Sequence, residues 1–386
     1  MTQDLYASLR TRPGRSAIAT VEVRGVGAAA FVSSCFHSAS GISASKMIVG
    51  RVYFGKWGSR GSPGEELVVA RTDQAVFEVH CHGGNLAPSQ VLDNVIDAGG
   101  EILATTDWLD RTSKHRLAAE AEAALANAAT DTAAAHLLAQ SRGALEQWVD
   151  QCLSLVSTGE LAAVRQAIDA MLARVSQGMH LLQPYKVVVA GPPNVGKSLL
   201  INRLLGYERS IVFDQPGTTR DVLKTITAWA GWLFELTDTA GVRPDATDPI
   251  EQVGIDKARD SIDRADLVLA VADATSLEEW WTDWPTEHRP RCIELWNKCD
   301  LCHDLPSTCQ YQVSAKTGLG LEELVANIVD TLAAPDSVVV GDPLPFLPRH
   351  QRHLERARQF LVANGLVSCT HELRLIVNGD DCEIST

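Results

Sequence analysis

Residues 186–198 read KVVVAGPPNVGKS, and the fold of the chain turns on this stretch. Val187, Val188, Val189 and Ala190 form a short apolar run, the pattern of a parallel strand buried on both faces. Gly191 to Ser198 then fit G-x-x-x-x-G-K-[ST], a loop whose backbone N–H groups turn inward onto phosphate oxygens. In such a loop Lys197 reaches the β- and γ-phosphates, and the Ser198 hydroxyl can ligate Mg²⁺. A helix is expected over 199–205, with its positive N-terminus aimed at the same anion. Gly191, Asn194, Val195, Gly196, Lys197 and Ser198 are therefore the candidate phosphate cradle.

Four further motifs follow in order. The loop DQPGTTRD, residues 214–221, carries hydroxyls, and Thr219 or Thr218 can ligate Mg²⁺ only when a γ-phosphate is present, which makes the loop a switch. Asp238-Thr239-Ala240-Gly241 is D-x-x-G at the end of an apolar run; Asp238 can hold Mg²⁺ through water, and the Gly241 N–H can reach the γ-phosphate. Asn297-Lys298-Cys299-Asp300 is N-K-x-D after another apolar run. A carboxylate at Asp300 can accept from both N1–H and the exocyclic amine of guanine, a pair that adenine does not offer. Ser314-Ala315-Lys316 is the short loop expected beside the base. Five such motifs at strand ends point to a Mg²⁺-dependent site that binds and hydrolyses GTP, with Lys197 neutralising phosphate charge.

The residue after D-x-x-G is Val242, which cannot orient an attacking water as a glutamine could. Asp245, Asp248 and Glu251 follow, and Glu251 stands where a helix over 250–262 should begin. The residues alone leave open whether Glu251 acts on the water or simply favours the helix N-terminus.

At 386 residues the chain is too long for one ordinary core. Its 45% hydrophobic and 21% charged residues are those of a globular protein without a membrane span, and MTQDLYASLR lacks the apolar core of a signal peptide. A cytoplasmic location with no membrane partner is the expectation. The net charge of −14 argues against nonspecific nucleic-acid binding, and RHQRHLERAR (349–358) reads as a solvated helix face. Nine scattered cysteines read as reduced thiols. Cys299 and Cys302 have zinc-ligand spacing, with His303 and Cys309 nearby, but N-K-x-D already accounts for that segment.

The expected fold is multi-domain α/β and α: a P-loop GTPase domain inserted into a helical domain and preceded by an α+β N-terminal domain. Residues 1–110 form the N-terminal domain, with strands at 17–24, 67–70 and 76–80 and a helix at 89–98 stopped by Gly99-Gly100. His80 and His82 read as ordinary imidazoles at a strand-end turn. Residues 111–183 are helical, with helices at 118–139, 144–157 and 160–179. Residues 184–335 alternate strands (222–229, 232–237, 266–272, 292–296, 308–313) with helices, the last at 321–332. Residues 336–386 return to helix at 349–363 and 371–377 after a proline-broken linker, and end in a frayed NGDDCEIST.

These motifs resemble one family closely, the tRNA-modification GTPases called MnmE or TrmE, in GPPNVGKSLLINRLLG, SIVFDQPGTTRDV, DTAGVR, IEQVGIDKA and NKCDL. RPGRSAIATVEVRG and FEVHCHGG resemble the family's N-terminal domain, and RHQRHLERARQFL its return into the helical domain. The resemblance implies K⁺ activation when two G domains pair, with Asn194 as K⁺ ligand and the backbone carbonyls of Phe213 and Gln215 completing the site. It also implies that Glu251 is the catalytic glutamate, and that the protein is a homodimer holding a tetrahydrofolate derivative as one-carbon donor. The implied partners are a flavoprotein resembling MnmG (GidA) and tRNA, whose wobble uridine receives a carboxymethylaminomethyl-type group. The family's C-[ILV]-G-K ending has no counterpart up to Thr386, and ATTDWLDRTSKHR stands where the family has P-G-E-F-T-x-R-A-F-x-N-G-K. The alternative expectation is a divergent, C-terminally truncated paralogue that acts as a GTP-dependent binding or assembly switch.

Overall fold

The computed structural model describes residues 4–11, 16–58, 64–207, 225–238, 260–276, 291–302, 311–334, 338–363 and 365–379. They belong to two compact units, Met1–Ala123 and Ala124–Thr386.

In the first unit, strands β1 (Tyr6–Leu9), β2 (Ile18–Arg24), β3 (Phe36–Ser38), β4 (Arg51–Trp57), β5 (Glu65–Asp73), β6 (Val76–His82) and β7 (Glu101–Ile102) build one sheet in the order β3-β4-β5-β6-β2-β1-β7. All neighbours are antiparallel except β1 and β7. Helices α1 (Ala28–Cys35) and α2 (Leu86–Asp97) close its core, where Val21, Val23, Phe31, Trp57, Phe77, Val79 and Val95 are buried. Helix α3 (Thr105–Thr112) adds Trp108 and Leu109 to a smaller cluster with Leu103, Tyr6 and Ala119 of α4 (Arg116–Ala126). The sequence signal located β2, β5, β6 and α2 but not β1, β4 or α1. In β4 both Val52 and Phe54 are exposed, so the strand lacks the alternation that marks a half-buried strand. His80 and His82 lie within β6 rather than on a turn. His80 Nδ1 hydrogen-bonds Thr20 Oγ1 at 3.0 Å, and His82 Nδ1 meets Glu65 Oε1 at 2.5 Å.

The second unit begins with α5 (Asp131–Ser141), α6 (Ala144–Thr158), α7 (Leu161–Ala173) and α8 (Val175–Met179). The stretch 118–139 is not one helix. It breaks between α4 and α5 because Thr130 turns extended and its hydroxyl accepts from Ala133 N at 3.1 Å, capping a new helix.

Strands β8 (Tyr185–Ala190), β9 (Thr225–Trp229), β10 (Trp232–Asp238), β11 (Leu267–Asp273), β12 (Cys292–Asn297) and β13 (Tyr311–Gln312) then form a sheet in the order β13-β12-β11-β8-β10-β9. It is parallel except for the β9–β10 hairpin. The hairpin turns at Ala230 and Gly231, both with positive φ (48° and 80°), as a two-residue turn with the twist of the flanking strands requires. Strands β8 and β11 sit centrally and are apolar almost throughout, because a parallel sheet is covered on both faces. Helix α9 (Lys197–Leu205) follows β8 directly, and α10 (Leu321–Leu332) buries Leu321, Leu324, Val325, Ile328 and Val329. Of the helix expected at 250–262, residues 250–259 lie outside the described residues.

After the sheet come α11 (Pro348–Val362) and α12 (Leu366–Asn378). Helix α11 packs on α7 and α12, and α12 also packs on α6. The basic stretch RHQRHLERAR divides between two faces. His350, His353, Leu354 and Ala357 are buried at helical spacing, whereas Arg352, Arg356 and Arg358 are exposed. His353 Nδ1 meets Glu372 Oε2 of α12 at 2.7 Å in the helical core. Helix α12 starts five residues before the expected 371, because Cys369, Glu372, Leu373 and Ile376 form one buried stripe.

Candidate functional site

In a parallel sheet, ligands bind beyond the carboxyl ends of the strands. Five strands of this sheet end in chemistry-bearing residues: β8 in the glycine loop, β10 in Asp238, β11 in Asp273, β12 in Asn297, and β13 just before Ser314.

The glycine loop is shaped by what a side chain would strike. A Cβ at Gly191 would stand 2.3 Å from the Val271 carbonyl of β11, and one at Gly196 would stand 2.5 Å from Asn297 Nδ2. Gly196 (φ 95°) precedes α9, and Asn194 adopts the left-handed region (φ 67°), which asparagine tolerates better than most residues. Asn194 is exposed while Val195 and Lys197 are buried. Lys197 Nζ donates to the Gly191 and Pro192 carbonyls at 2.9 and 3.0 Å, so the ammonium lies across the loop where phosphate charge would gather. Burial pulls its pKa below the ordinary lysine value, and the nearby Asp238 carboxylate works against that shift.

Ser198 Oγ donates to Asp238 Oδ2 at 2.6 Å. Asp238 Oδ1 is buried and has no hydrogen-bond partner among the described residues. A hydroxyl and a carboxylate in contact, with one carboxylate oxygen unpaired among the described residues, make a hard oxygen donor set that fits Mg²⁺.

The candidate guanine side is built around Asn297, which is only 2% exposed. Its Nδ2 donates to the Val195 carbonyl at 2.8 Å, and its Oδ1 accepts from Ala315 N at 2.9 Å. One side chain thereby ties the glycine loop to the Ser314–Lys316 loop. Asp300 Oδ1 accepts from Ser314 Oγ at 2.7 Å, and the same hydroxyl oxygen accepts from Thr317 N at 3.1 Å. This holds the Asp300 carboxylate at a fixed place beside the loop. Lys316 is exposed, and its carbonyl accepts from Arg203 Nη2 at 3.4 Å. Lys298 has φ 66°, and its ammonium is paired with Asp273 Oδ2 at 2.5 Å.

The structure thus brings together Gly191, Asn194, Val195, Gly196, Lys197, Ser198, Asp238, Asn297, Lys298, Asp300, Ser314, Ala315 and Lys316. Phe213, Gln215, Thr218, Thr219, Gly241 and Glu251 lie outside the described residues. Sequence reading missed Asp273. Its signal was an aspartate closing a buried strand, with a threonine two residues on, the pattern of a side chain capping its own turn. Cys299 is buried, and Cys302 Sγ donates to the Ala274 carbonyl at 3.1 Å. Among the described residues no cluster of three or more His, Cys, Asp or Glu could hold a metal ion, and no helix is long and apolar enough to cross a membrane.

Comparison with known proteins agrees with this geometry. The family described as 50S ribosome-binding GTPase matches residues 186–298. The tRNA modification GTPase MnmE of Thermotoga petrophila is 31% identical over 307 residues, covering 71% of this chain and 67% of that protein. Its counterpart in Chloroflexus aurantiacus is 30% identical over 409 residues, 93% of this chain and 89% of that one. The Shewanella baltica protein is 33% identical, over 74% of this chain and 71% of its own. A GTP-binding domain with its phosphate and guanine loops in place, in a chain related to these proteins along most of its length, is that of a GTP-hydrolysing enzyme. The chain belongs to the tRNA modification GTPase MnmE family.

Proposed function

We propose that this GTPase is stimulated by K⁺ and that its cycle serves modification of the wobble uridine of tRNA. The observation that carries the GTPase half is the contact of Ser198 with Asp238 beside Lys197, on the same sheet edge as the Asn297 bridge. Ser198, Thr219 and, through water, Asp238 are the residues that would hold Mg²⁺. When bound, the ion neutralises charge that develops on the β- and γ-phosphate oxygens. Lys197 shares that task, with its ammonium already lying over the loop. Glu251 takes the place of the glutamine that Val242 cannot supply: it orients and polarises the attacking water, directly or through a second water.

Asn194, with the carbonyls of Phe213 and Gln215, is proposed to hold K⁺, and the exposed, left-handed Asn194 supports an outward-facing ligand. The division into segments 1–110, 111–183, 184–335 and 336–386, with the G domain inserted into a helical domain, is supported by α6, α7, α11 and α12 packing together from either side of the sheet in sequence. A homodimer in the cytoplasm, a tetrahydrofolate derivative in the first unit, and an MnmG-like flavoprotein acting with it on tRNA complete the proposal. They rest on family membership.

Two experiments test this reading. GTP hydrolysis in K⁺ should exceed that in Na⁺ severalfold, and Glu251→Ala should lose most activity while still binding nucleotide. Equal rates in the two salts would remove the K⁺ site, and full activity in the variant would remove Glu251. Nucleoside analysis of tRNA from a strain lacking the gene should show loss of the modified wobble uridine. Unchanged tRNA would leave a GTP-dependent binding or assembly switch.

A further inference from the structure

The turn that follows β11 has no part in the motifs of nucleotide binding, yet it meets the guanine-selecting loop at three points. Ala274 N donates to the Asn297 carbonyl at 2.9 Å. Cys302 Sγ donates to the Ala274 carbonyl at 3.1 Å. Lys298 Nζ donates to Asp273 Oδ2 at 2.5 Å. The turn is itself locked, because Asp273 Oδ1 accepts from both Thr275 N (2.9 Å) and Thr275 Oγ1 (2.7 Å). Each oxygen of one carboxylate thus has its own task, one fixing its turn and the other gripping Lys298.

We infer that Asp273 is a positioning residue for guanine-nucleotide binding, which acts through Lys298 and holds the Asn297–Cys302 loop in its binding geometry. Lys298 needs such a partner for two reasons. Its backbone is in the left-handed region (φ 66°), a conformation unfavourable for a residue with a Cβ, so the loop has to be held in place by its surroundings. Its side chain is long and carries several rotamers, each of which would place the ammonium differently. The ion pair selects one. Lys298 is followed two residues later by Asp300, the base-reading carboxylate, so a change in the loop at Lys298 carries directly to Asp300. Burial pushes the Asp273 carboxyl up, but the hydrogen bonds from Lys298 and Thr275 outweigh it and hold it below the ordinary aspartate value, so the grip is present at neutral pH. Asp273 belongs to no phosphate or base motif and reaches the site only through Lys298, so its removal should weaken binding rather than the chemical step.

The test is a double-mutant cycle on the full chain with Asp273→Asn, Lys298→Met and both. The KM and kcat for GTP, and the Kd for a fluorescent GDP analogue, are measured for each variant. Asp273→Asn should raise KM and Kd about fivefold, the effect of a partly solvated charge-assisted hydrogen bond, and leave kcat within about twofold. The double variant should be no worse than Lys298→Met alone, because Asp273 acts through that lysine. Asp273→Glu, which keeps the charge, should recover part of the lost affinity. KM within twofold of the unaltered protein for Asp273→Asn would overturn the assignment. So would losses that add in full in the double variant, or a fall in kcat at constant KM. Should Asp273→Asn fail to fold, Thr275→Val decides: it removes the hydroxyl bond to Asp273 Oδ1 and keeps both the bond from the residue 275 N–H and the carboxylate's charge. A raised KM at constant kcat then supports the role, and an unchanged KM refutes it.

Discussion

Truncating Asn297 to alanine should separate this site into two disconnected halves. The side chain is buried and makes two hydrogen bonds, to the Val195 carbonyl at 2.8 Å and from Ala315 N at 2.9 Å. Both partners are backbone groups of loops that the nucleotide must touch, one on the phosphate side and one on the base side. Alanine would leave a buried acceptor and a buried donor without partners, at about 1–3 kcal/mol each. Water can reach the opened site when nucleotide is absent, so the lower half of that range applies, about 3 kcal/mol in total. That energy falls on binding, because a bound nucleotide would exclude the water that satisfies the two groups in the open site. The Kd for GDP should therefore rise about 100-fold at 25 °C, since each factor of ten is about 1.4 kcal/mol. Asn297→Asp is a sharper probe. It keeps the acceptor for Ala315 N but turns an oxygen toward the Val195 carbonyl, so it should bind no better than the alanine variant. Titration with a fluorescent GDP analogue measures both, with thermal melts of the nucleotide-free protein as control. A Kd within threefold of the unaltered protein would refute the bridge, as would a melting temperature that falls while affinity holds.

Other perturbations address the frame around the site. Gly191→Ala should abolish nucleotide binding, because the new Cβ would stand 2.3 Å from the Val271 carbonyl in a central strand that cannot retreat; retained binding in the same titration would contradict this. Gly231→Ala should destabilise the second unit by about 2 kcal/mol, combining a positive φ with a Cβ placed 1.9 Å from Thr132 Oγ1. Adding Thr132→Ala should restore only part of this in chemical denaturation, because the Cβ of residue 132 would still be 2.8 Å away. His353→Ala, which leaves buried Glu372 with only its long 4.0 Å pair to the exposed Arg356, should cost about 2 kcal/mol and lower the melting temperature with nucleotide binding retained. Burial raises the Asp266 pKa, but the His180 ring, with Nε2 at 3.7 Å, and the hydrogen bond from the Lys186 N–H outweigh it and leave the folded value below the unfolded one. Its contribution is therefore present above the unfolded value and is lost as pH falls through the folded one. The stability gap between the unaltered protein and Asp266→Asn should hold at neutral pH and close below about pH 4, as read by denaturant midpoints across that range.

How much of the fold could be read from sequence depended on how each element buries its residues. In the second unit the parallel strands are covered on both faces, so β8 and β11 announce themselves by the apolar runs Val187–Ala190 and Leu267–Ala272, β12 by a run interrupted only at Glu294, and their observed ends lie within a residue or two of the expected ones. In the first unit the sheet is antiparallel except at β1 and β7, and its strands lie partly open. Val52 and Phe54 of β4 are more than half exposed, and β7 is only two residues long, so neither carries a period to detect. Helix α12 was read too short because Leu366 and Val367 at its start are exposed apolar residues, which blur the contrast between its faces.

The site divides along a different line. Lys197, Ser198, Asp238 and Asp300 are proposed from what a nucleotide requires, and residue type together with local spacing is enough to propose them. Asn297 carries a motif, but its bridging contact joins it to a loop 102 residues earlier, and no spacing rule contains that distance. Asp273 carries no motif at all. Its carboxylate is defined by Lys298, 25 residues on, and by a turn it caps itself. Groups that touch the ligand are constrained by the ligand's chemistry, which is shared by every protein that binds it. Groups that hold those residues in place are constrained by the packing of one particular sheet, where the ends of β11 and β12 run in register from Val268 beside Cys292 to Asp273 beside Asn297. That register places the Asp273 turn against the N-K-x-D loop. Shifting β11 by one residue against β12 would leave every nucleotide motif in the sequence intact and still move the aspartate off the lysine.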